Sequence, residues 1–302
     1  MTLTISEAAR LLRAGNVVAF PTETVYGLGA NALDAAAVAK VYALKGRPST
    51  SPLIVHVASI EMARSIVAEW PDRAEELARR WWPGPLTMVL PKKAIIPDIV
   101  TAGLQTVGVR MPAHPVALAL IKEAEVPLAA PSANRYMGIS PTTAAHVEAA
   151  FGDQVPVLDG GPCQVGIEST VVAVNGSQLR LLRRGMISLG QVEEAHAEAG
   201  SAHAAPGMHH RHYSPKTPLR IVKHPNELPD EDGAYVWHSL PALAKRFVQL
   251  PANPEKYAAQ LYATLHTLDA EGWPWIAVEA PPEGEEWAAI RDRLQRAQGK
   301  VK

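Results

Sequence analysis

Five short polar segments of the sequence carry cationic, carboxylate and hydroxyl side chains, and the cations and hydroxyls among them are residue types that bind anions. Each segment borders a short apolar stretch that is predicted to form a β-strand. Ligands of open α/β sheets bind at the carboxyl ends of strands, so the positions of these segments favour one composite site over scattered loop polarity. The segments are FPTETVYGLG at 20–29, KGRPSTS at 45–51, TVGVRMP at 106–112, PSANRYMGIS at 131–140 and GIESTVV at 166–172.

Two cations lie close together in the second segment, where Lys45 and Arg47 bracket Gly46. Glycine readily adopts the left-handed backbone that ends many helices, so Gly46 would let both cations face one anion. The sequence contains neither G-x-x-x-x-G-K-[ST] nor a strand-linked G-x-G-x-x-G, so a nucleotide would be bound by separate cations and hydroxyls. The alternative is that Lys45 only interacts with the macrodipole of the preceding helix.

Arg110 and His56 each lie in a predicted strand, and each has two interpretations. The planar guanidinium of Arg110 suits a carboxylate ligand, but it can equally pair with Glu23 or Glu168. A histidine in an apolar strand is either a core residue or a ligand-binding residue. The residues alone leave both questions open.

The S-x-N of Ser132 and Asn134 is typical of a turn as well as of a binding loop. The segment HHRHY at 209–213 resembles a set of metal ligands, but no cysteine or second histidine pair completes a site. We therefore expect no metal ion held by protein side chains. The interpretation favoured for 209–213 is a mobile polar loop or a nucleotide contact.

The composition is that of a globular protein without a global attraction for nucleic acid. Of 302 residues, 47% are hydrophobic and 20% charged, and the formal net charge is −1, so any polyanion site must be local. The single cysteine, Cys163, excludes a disulfide framework and a thiolate zinc site. The N-terminal segment lacks a signal peptide's apolar core, and no run approaches 18 apolar residues. We expect a cytoplasmic protein without a membrane contact.

Strands and helices alternate along the first 200 residues, and at least one hairpin interrupts the alternation. This order predicts an α/β fold with a mixed, twisted sheet and flanking helices. The predicted strands are 17–20, 53–57, 86–90, 107–111, 128–130, 155–158, 169–174 and 179–183, the last two forming a hairpin around NGSQ. The predicted helices are 5–14 with Ser6 as cap, 35–44, 60–69, 72–81, one from Pro115, one from Ser140-Pro141 to Gly152, and 188–198.

A second, smaller α/β domain follows a linker that lacks apolar periodicity. Strands are predicted at 219–222, 234–237 and 275–278, and helices at 254–270 and 285–297. We therefore divide the chain into a domain over 1–200, an interdomain linker over 201–217 and a C-terminal domain over 218–302.

Taken together, these segments resemble the YrdC-type threonylcarbamoyl-AMP synthases, in the long form with a C-terminal domain. The resemblance covers most of residues 10–200 and includes PTETVYGLG, the K-x-R of Lys45 and Arg47, the S-x-N of Ser132 and Asn134, GIESTVV and LLRRG. The segment PGMHHRHYSP is similar to the interdomain segment of the long form. The resemblance implies a YrdC-like first domain and a Rossmann-like second domain.

The resemblance also implies a reaction. L-Threonine, bicarbonate or CO₂, and ATP would give threonylcarbamoyl-AMP and pyrophosphate, with Mg²⁺ on the ATP phosphates. The product would pass to a tRNA threonylcarbamoyltransferase that modifies the adenosine beside the anticodon, so tRNA would be only an indirect partner. The alternative function is an RNA-binding translation or ribosome-maturation factor that uses the same basic cavity.

Individual residues acquire expected roles from the same resemblance. Threonine would contact Thr24, His56, Arg110, the Ala130 backbone and Ser169. ATP would contact Arg47, Ser51, Thr106, Ser132, Ser140, Arg183 and Tyr213, with Tyr213 reaching in from the linker as part of a lid. The catalytic set would be Lys45, Arg47, Ser132 and Asn134, with Lys45 and Asn134 facing the phosphates. Arg184 stands where the family commonly has proline, which leaves open whether Arg183 or Arg184 faces the nucleotide.

Overall fold

Two β-sheets of unequal size organise the chain in a computed structural model, which describes residues 3–190, 192–194, 212–242 and 244–298. Nine strands in this part of the chain form the larger sheet, in the order β1-β2-β6-β3-β5-β4-β7-β8-β9. The strands are β1 Val18–Phe20, β2 Gly27–Asn31, β3 Ile54–His56, β4 Leu86–Pro91, β5 Thr106–Arg110, β6 Leu128–Ala129, β7 Thr170–Asn175, β8 Gln178–Arg183 and β9 Glu193–Glu194. Parallel and antiparallel pairs both occur, so the prediction of a mixed sheet is confirmed.

Helices cover both faces of the larger sheet, because alternate strand residues point to opposite sides. Val18 and Phe20 of β1 pack with α1 and α6 on one face, whereas Ala19 packs with α2, α3, α4 and α7 on the other. The helices are α1 Ile5–Arg13, α2 Ala35–Lys45, α3 Ile60–Ile66, α4 Asp72–Trp81, α5 Asp98–Thr101, α6 Pro115–Ala124 and α7 Ala144–Phe151.

Most predicted elements of this sheet are present, and the hairpin around NGSQ joins β7 to β8 in antiparallel register. Gly46 ends α2 in the left-handed conformation, as predicted. The cap of α1 is Thr4, not Ser6, because the Thr4 hydroxyl accepts from the Glu7 N–H while Glu7 accepts from Thr4 in return.

Three predicted elements differ from the structure. The predicted helix from Ser140 starts only at Ala144, because the carbonyl oxygens of Pro141 and Thr142 accept bonds from Tyr26 and Cys163. The predicted strand 155–158 makes only an isolated bridge from Val157 to Ala19, and Pro156 has no N–H to extend it. In the described part of 188–198 no helix is present, since β9 pairs there with β8.

Strand β2 is absent from the predicted strands, and two of its five residues are glycines, which are depleted in strands. Its glycines lie against the ring of Phe20 on the neighbouring β1. A Cβ at Gly29 would lie 2.6 Å from the Phe20 ring, and one at Gly27 would lie 3.3 Å from it. The strand therefore keeps glycine because an aromatic side chain of the next strand occupies that space.

The smaller sheet belongs to the C-terminal part of the chain, and its four described strands are all parallel, in the order β10-β13-β11-β12. They are β10 Leu219–Val222, β11 Ala234–Trp237, β12 Arg246–Gln249 and β13 Ile276–Glu279, with helices α8 Pro254–Glu271 and α9 Ala288–Gln298. The smaller α/β domain is thus confirmed. The prediction omitted β12, whose successive residues alternate between half-buried and exposed positions.

Loops of the larger unit share one apolar cluster with the C-terminal unit. Tyr257, Leu261 and Leu265 of α8 pack in the same cluster as Val25 and Ile167 of the larger unit. Residues 201–211 of the predicted linker lie outside the described residues, whereas 212–217 are described. Within the described ranges, no helix is both long and apolar enough to cross a membrane.

Two histidines from the two units stack at this boundary, which makes the stability of the fold sensitive to acid. The rings of His146 and His266 lie 4.0 Å apart at 17°. Nδ1 of His146 accepts from the Thr142 N–H at 3.2 Å, so this ring is bound in its neutral form. Burial, followed by the neighbouring His266, lowers the pKa of His146 to about 4, and burial also lowers the pKa of His266.

We predict that the free energy of unfolding falls between pH 6.5 and 4. In this window His146 and His266 bind protons in the unfolded chain but not in the folded protein, because folding lowers their pKa values. Their contribution to the free energy of unfolding is therefore fully present above the unfolded pKa and is lost as the pH falls below it. Urea unfolding at pH 7.5 and pH 5 measures the loss. The variant His146→Asn keeps a hydrogen-bond acceptor for the Thr142 N–H but does not titrate. Its free energy of unfolding should therefore fall less between pH 7.5 and pH 5. An equal loss in both proteins would contradict the prediction.

Candidate active site

A cavity with an empty volume of about 560 Å³, including its opening to solvent, lies where β3 and β5 end. Strand β4 runs antiparallel to β5, so the amino ends of β4 and its parallel neighbour β7 reach the same edge. Loops before and after strands therefore meet at one place. The lining residues are Thr22, Thr24, Val25, Gly27, Arg47, Ile54, His56, Arg110, Ala130, Pro131, Ser132, Glu168, Ser169, Arg183, His212 and Tyr213.

Arg110, the last residue of β5, is held by three different groups. Its NH2 group lies 2.6 Å from Glu23, and both side chains are 4% exposed. Its NH1 donates to the Thr24 hydroxyl at 2.9 Å, and its Nε donates to the Gly84 carbonyl at 3.3 Å. A guanidinium has five N–H donors, so these contacts orient Arg110 and leave donors for a ligand. The sequence alternative of an ion pair with Glu23 is therefore present, and Arg110 lines the cavity as well.

Arg183, and not Arg184, lines the cavity. Arg183 donates to the carbonyl and to the hydroxyl of Ser169, both at 3.0 Å. Ser169 also shares a hydrogen bond with Thr87 at 2.8 Å. Arg184 points away from the cavity and pairs with Glu194 and Glu285. Of the two arginines, Arg183 is therefore the one that a ligand in the cavity could contact.

Arg47 is buried just after α2 and its guanidinium faces the cavity. It donates to the backbone carbonyls of Ser51 at 3.4 Å and Pro52 at 3.2 Å. Among the described residues no carboxylate pairs with it, and burial lowers its pKa. Ser51 itself is buried but does not line the cavity; its carbonyl also accepts from Tyr42. A buried cation without a carboxylate partner is the physical basis of an anion site.

Lys45 and Asn134 lie behind the cavity wall, although the sequence predicted that they face the phosphates. The Lys45 Nζ donates to the carbonyls of Ser132 at 2.6 Å and Asn134 at 2.5 Å, and its burial lowers its pKa strongly. The Asn134 amide donates to the carbonyls of Arg135 and Gly138. Both side chains therefore fix the loop from which Ser132 reaches the cavity.

His56 is the last residue of β3 and lines the cavity. Its ring is 4% exposed and packs edge to face with Phe20 at 5.9 Å. In the described part of the chain its Nδ1 has no hydrogen-bond partner. Burial, with a smaller effect from Arg110, lowers the His56 pKa to about 3, so the ring is neutral near pH 7. A buried polar atom without a partner favours the interpretation of His56 as a ligand-binding residue.

Tyr213 reaches the cavity from the end of the predicted linker. It is 1% exposed, has a positive φ of 61° and stacks on Tyr262 of α8 at 5.9 Å. The next residue, Ser214, donates its N–H to the Met137 carbonyl, and its hydroxyl donates to the Ala297 carbonyl. The segment around Tyr213 thus connects the cavity loop to α9. His209, His210 and Arg211 of the HHRHY segment lie outside the described residues.

Glu168 is a lining residue that belongs to the predicted polar segment GIESTVV and that the sequence also offered as a partner of Arg110. Its Oε1 accepts from the Ser140 hydroxyl at 2.6 Å. Its Oε2 accepts from Arg293 at 2.7 Å and from Tyr262 at 3.1 Å. Burial raises the pKa of Glu168, but the positive charges of Arg293 and Arg183 and the hydrogen bonds from Ser140 and Arg293 outweigh it, so the pKa of Glu168 is lowered. Ser140 belongs to this network and does not line the cavity. No local sequence pattern indicates that Tyr262 of α8 and Arg293 of α9 contact Glu168.

Nine of the predicted site residues share the cavity, and five lie outside its lining. Thr106 is one of the five; it lies on the same face of β5 as Arg110, four residues or about 13 Å away. The lining residues are Thr24, Arg47, His56, Arg110, Ala130, Ser132, Ser169, Arg183 and Tyr213, and the others are Lys45, Ser51, Thr106, Asn134 and Ser140.

The donor set does not form a metal cage. No group of three His, Cys, Asp or Glu side chains that could hold a metal ion occurs within the described ranges. The lining carboxylate Glu168 already accepts from three protein groups. A divalent cation at this site would therefore need ligands from a substrate, as Mg²⁺ finds on phosphate oxygens.

The fold and the cavity define an α/β protein with an enclosed, arginine-lined site for small anionic ligands. Comparison with known proteins identifies the family of this α/β protein. A family profile described as "Telomere recombination" (Sua5, YciO and YrdC) matches residues 10–185, and a profile for the C-terminal domain of threonylcarbamoyl-AMP synthases matches 182–299. The chain belongs to the Sua5/YrdC family, in the long form that carries this C-terminal domain.

Individual relatives match over nearly their whole length. Threonylcarbamoyl-AMP synthases of Pyrococcus abyssi and Bacillus subtilis are each 40% identical, covering 97% and 98% of this chain and 93% of each relative. The crystal structure of P. abyssi Sua5 complexed with L-threonine superposes with a TM-score of 0.91 at 39% identity, over 97% of this chain and 94% of that one.

We predict that Lys45→Met lowers the free energy of unfolding by about 3 kcal/mol, because two carbonyls of the 132–134 loop lose the buried amino group that donates to both of them. Lys40→Met is the matched control on the same helix. Lys40 also donates to one carbonyl, that of Gly15, but it is exposed, so its loss should cost about 0.5 kcal/mol. Urea unfolding measures both values. Equal effects of the two substitutions would contradict the role of Lys45 in holding the loop.

Proposed function

We propose that the protein synthesises L-threonylcarbamoyl-AMP from L-threonine, bicarbonate or CO₂, and ATP, with release of pyrophosphate. The observation that carries the proposal is the meeting of Arg47, Arg110 and Arg183 in one cavity with the unpartnered Nδ1 of His56. Such a cavity suits two anionic ligands held side by side. The names of the full-length relatives support the same reaction.

Threonine would occupy the side of the cavity formed by β3 and β5. Arg110 would bind its carboxylate, because a planar guanidinium matches a carboxylate with two parallel N–H donors. The neutral ring of His56 and the hydroxyl of Thr24 would bind the polar groups of the amino acid, with the Ala130 backbone and Ser169 beside them. Selection of threonine over valine then follows, since valine would leave a buried polar partner unsatisfied.

ATP would occupy the side formed by the loop after α2 and by β8. Arg47 and Arg183 would neutralise the phosphates, and the Ser132 hydroxyl would contact them from the loop that Lys45 and Asn134 support. Tyr213 would close over the nucleotide. The remaining predicted contacts of ATP, at Ser51, Thr106 and Ser140, would require the nucleotide to extend beyond the lining described above.

The chemistry requires both ligands in one enclosed volume. The threonine amine adds to CO₂ and loses a proton to give a carbamate. A carbamate oxygen then attacks the α-phosphorus, the bond from that phosphorus to the bridging oxygen breaks, and pyrophosphate leaves with the bond electrons. Positioning and charge neutralisation account for most catalysis of such transfers. Mg²⁺ bound to the phosphates would add to the neutralisation of their charge.

Enclosure would also protect the carbamate, which is short-lived in water. Tyr213 and the linker would act as the lid that excludes water. The product would be consumed by a transferase that moves its threonylcarbamoyl group to tRNA, so tRNA would not bind this cavity directly. We propose that these steps take place in the cytoplasm.

The alternative function, an RNA-binding factor, receives no support from the relatives. The three lining arginines are buried, at 3% to 8% exposure, so they do not form a surface track for an RNA backbone. The formal net charge of −1 provides no compensating field.

The test is a pyrophosphate-release assay with ATP and Mg²⁺ in which the amino acid and bicarbonate are varied. We predict release with threonine and bicarbonate together, at least about tenfold less with serine or valine, and background release when bicarbonate is removed. Formation of the adenylate is checked by mass spectrometry. Release that is indifferent to the amino acid would overturn the proposed function.

A further inference from the structure

One wall of the cavity is held by a residue of the C-terminal domain. Arg293 lies on α9, and its side chain is fully buried. Its Nε donates to Oε2 of Glu168 at 2.7 Å, its NH2 donates to the Arg184 carbonyl at 2.8 Å, and its NH1 contacts Asp292 at 2.6 Å. Helix α9 therefore reaches across the domain boundary and contacts the cavity-lining residue Glu168.

The contact between Arg293 and Glu168 affects the cavity because Glu168 lies next to the residue that holds Arg183. Glu168 precedes Ser169, and Ser169 accepts two hydrogen bonds from Arg183. A carboxylate next to this serine is an alternative partner for Arg183. Arg293 and Tyr262 occupy Oε2, and the Ser140 hydroxyl occupies Oε1. The C-terminal domain thus satisfies the carboxylate that would otherwise attract the arginine.

A stabilising role alone gives a poor account of this arrangement. Buried ion pairs contribute little net stability, because desolvation of the two charges offsets their attraction. The large unit and the C-terminal domain already share an apolar cluster that contains Val25, Ile167 and α8 side chains. Arg293 also lies 5.3 Å from the ring of Tyr213, so it contacts a second lining residue. The placement therefore fits a function within the cavity.

We propose that Arg293 is a positioning residue for the adenylation reaction: it neutralises Glu168, so that Arg183 remains directed at the ATP phosphates. The inference rests on the proposed function. It makes the C-terminal domain part of the active site. Loss of Arg293 would leave Glu168 to draw Arg183 away, and binding of ATP would suffer more than binding of threonine.

The test compares KM values for ATP and threonine in Arg293→Met, Glu168→Gln and the double variant. Arg291→Met is the matched control, since Arg291 lies on the same helix and contacts only the carbonyls of Pro282 and Gly284 in the described residues. We expect Arg293→Met to raise the KM for ATP about tenfold or more and the KM for threonine less than threefold. Arg291→Met should behave as the parent protein.

The double-mutant cycle separates this mechanism from loss of folding. In the Glu168→Gln background, where no charge remains to attract Arg183, Arg293→Met should change the KM for ATP by less than about threefold. This comparison stands even if Arg293→Met alone fails to fold, because the double variant buries no uncompensated charge at residue 168. Far-UV circular dichroism reports the folded fraction of each protein.

Three results would overturn the inference: equal changes in the two KM values, a fall in kcat alone that follows the folded fraction, or a tenfold effect of Arg293→Met in the Glu168→Gln background. The parent protein is measured first in the same assay. A parent without threonine-dependent pyrophosphate release would refute the proposed function itself, which distinguishes that failure from a failure of the role of Arg293.

Discussion

The cavity depends on keeping three arginines buried in one wall. Removing a guanidinium from water is costly unless other groups solvate it, and the protein supplies mainly backbone carbonyls and hydroxyls. Arg47 is held by two carbonyls, Arg183 by Ser169, and Arg110 by Glu23, Thr24 and a carbonyl. The carbonyl partners of Arg47 orient its guanidinium without cancelling its charge, whereas Arg110 also pairs with the carboxylate of Glu23. The wall therefore remains attractive to anions, and the enclosure strengthens that attraction because little water screens it.

The sheet brings these residues together through its mixed topology. Arg110 ends β5, whereas Ser169 precedes β7, and both reach the same edge because β4 runs antiparallel between them. Beside them, Gly29 leaves space for the Phe20 ring, and that ring packs on His56. The predicted linker contributes Tyr213 to the same wall, and the C-terminal unit supports the wall through the contact of Arg293 on α9 with Glu168. The cavity is thus built by the larger unit together with residues that follow it in the chain.

Much of this could be predicted from sequence, because the signals were local. Helical periodicity, the glycine after α2 and the turn residues NGSQ predicted the main elements, and five of the predicted lining residues lie in polar segments beside strands: Thr24, Arg47, Arg110, Ser132 and Ser169. The other four, His56, Ala130, Arg183 and Tyr213, were expected at the site from the family resemblance. The remainder depends on contacts between distant residues. No local pattern shows that Lys45 turns toward the carbonyls of Ser132 and Asn134, or that Arg293 reaches Glu168 from 125 positions away. Strand β2 was missed because its glycines are explained only by the Phe20 ring across the sheet.

The most direct test of this account is the affinity of threonine for the buried Arg110, measured by isothermal titration calorimetry. Arg110→Lys keeps the charge beside Glu23 but loses the planar fork, whereas Arg184→Lys changes an arginine outside the cavity. The account predicts that threonine binds at least about tenfold more weakly to Arg110→Lys, which is about 1.4 kcal/mol, and equally well to Arg184→Lys. Unchanged affinity in a folded Arg110→Lys protein would contradict it.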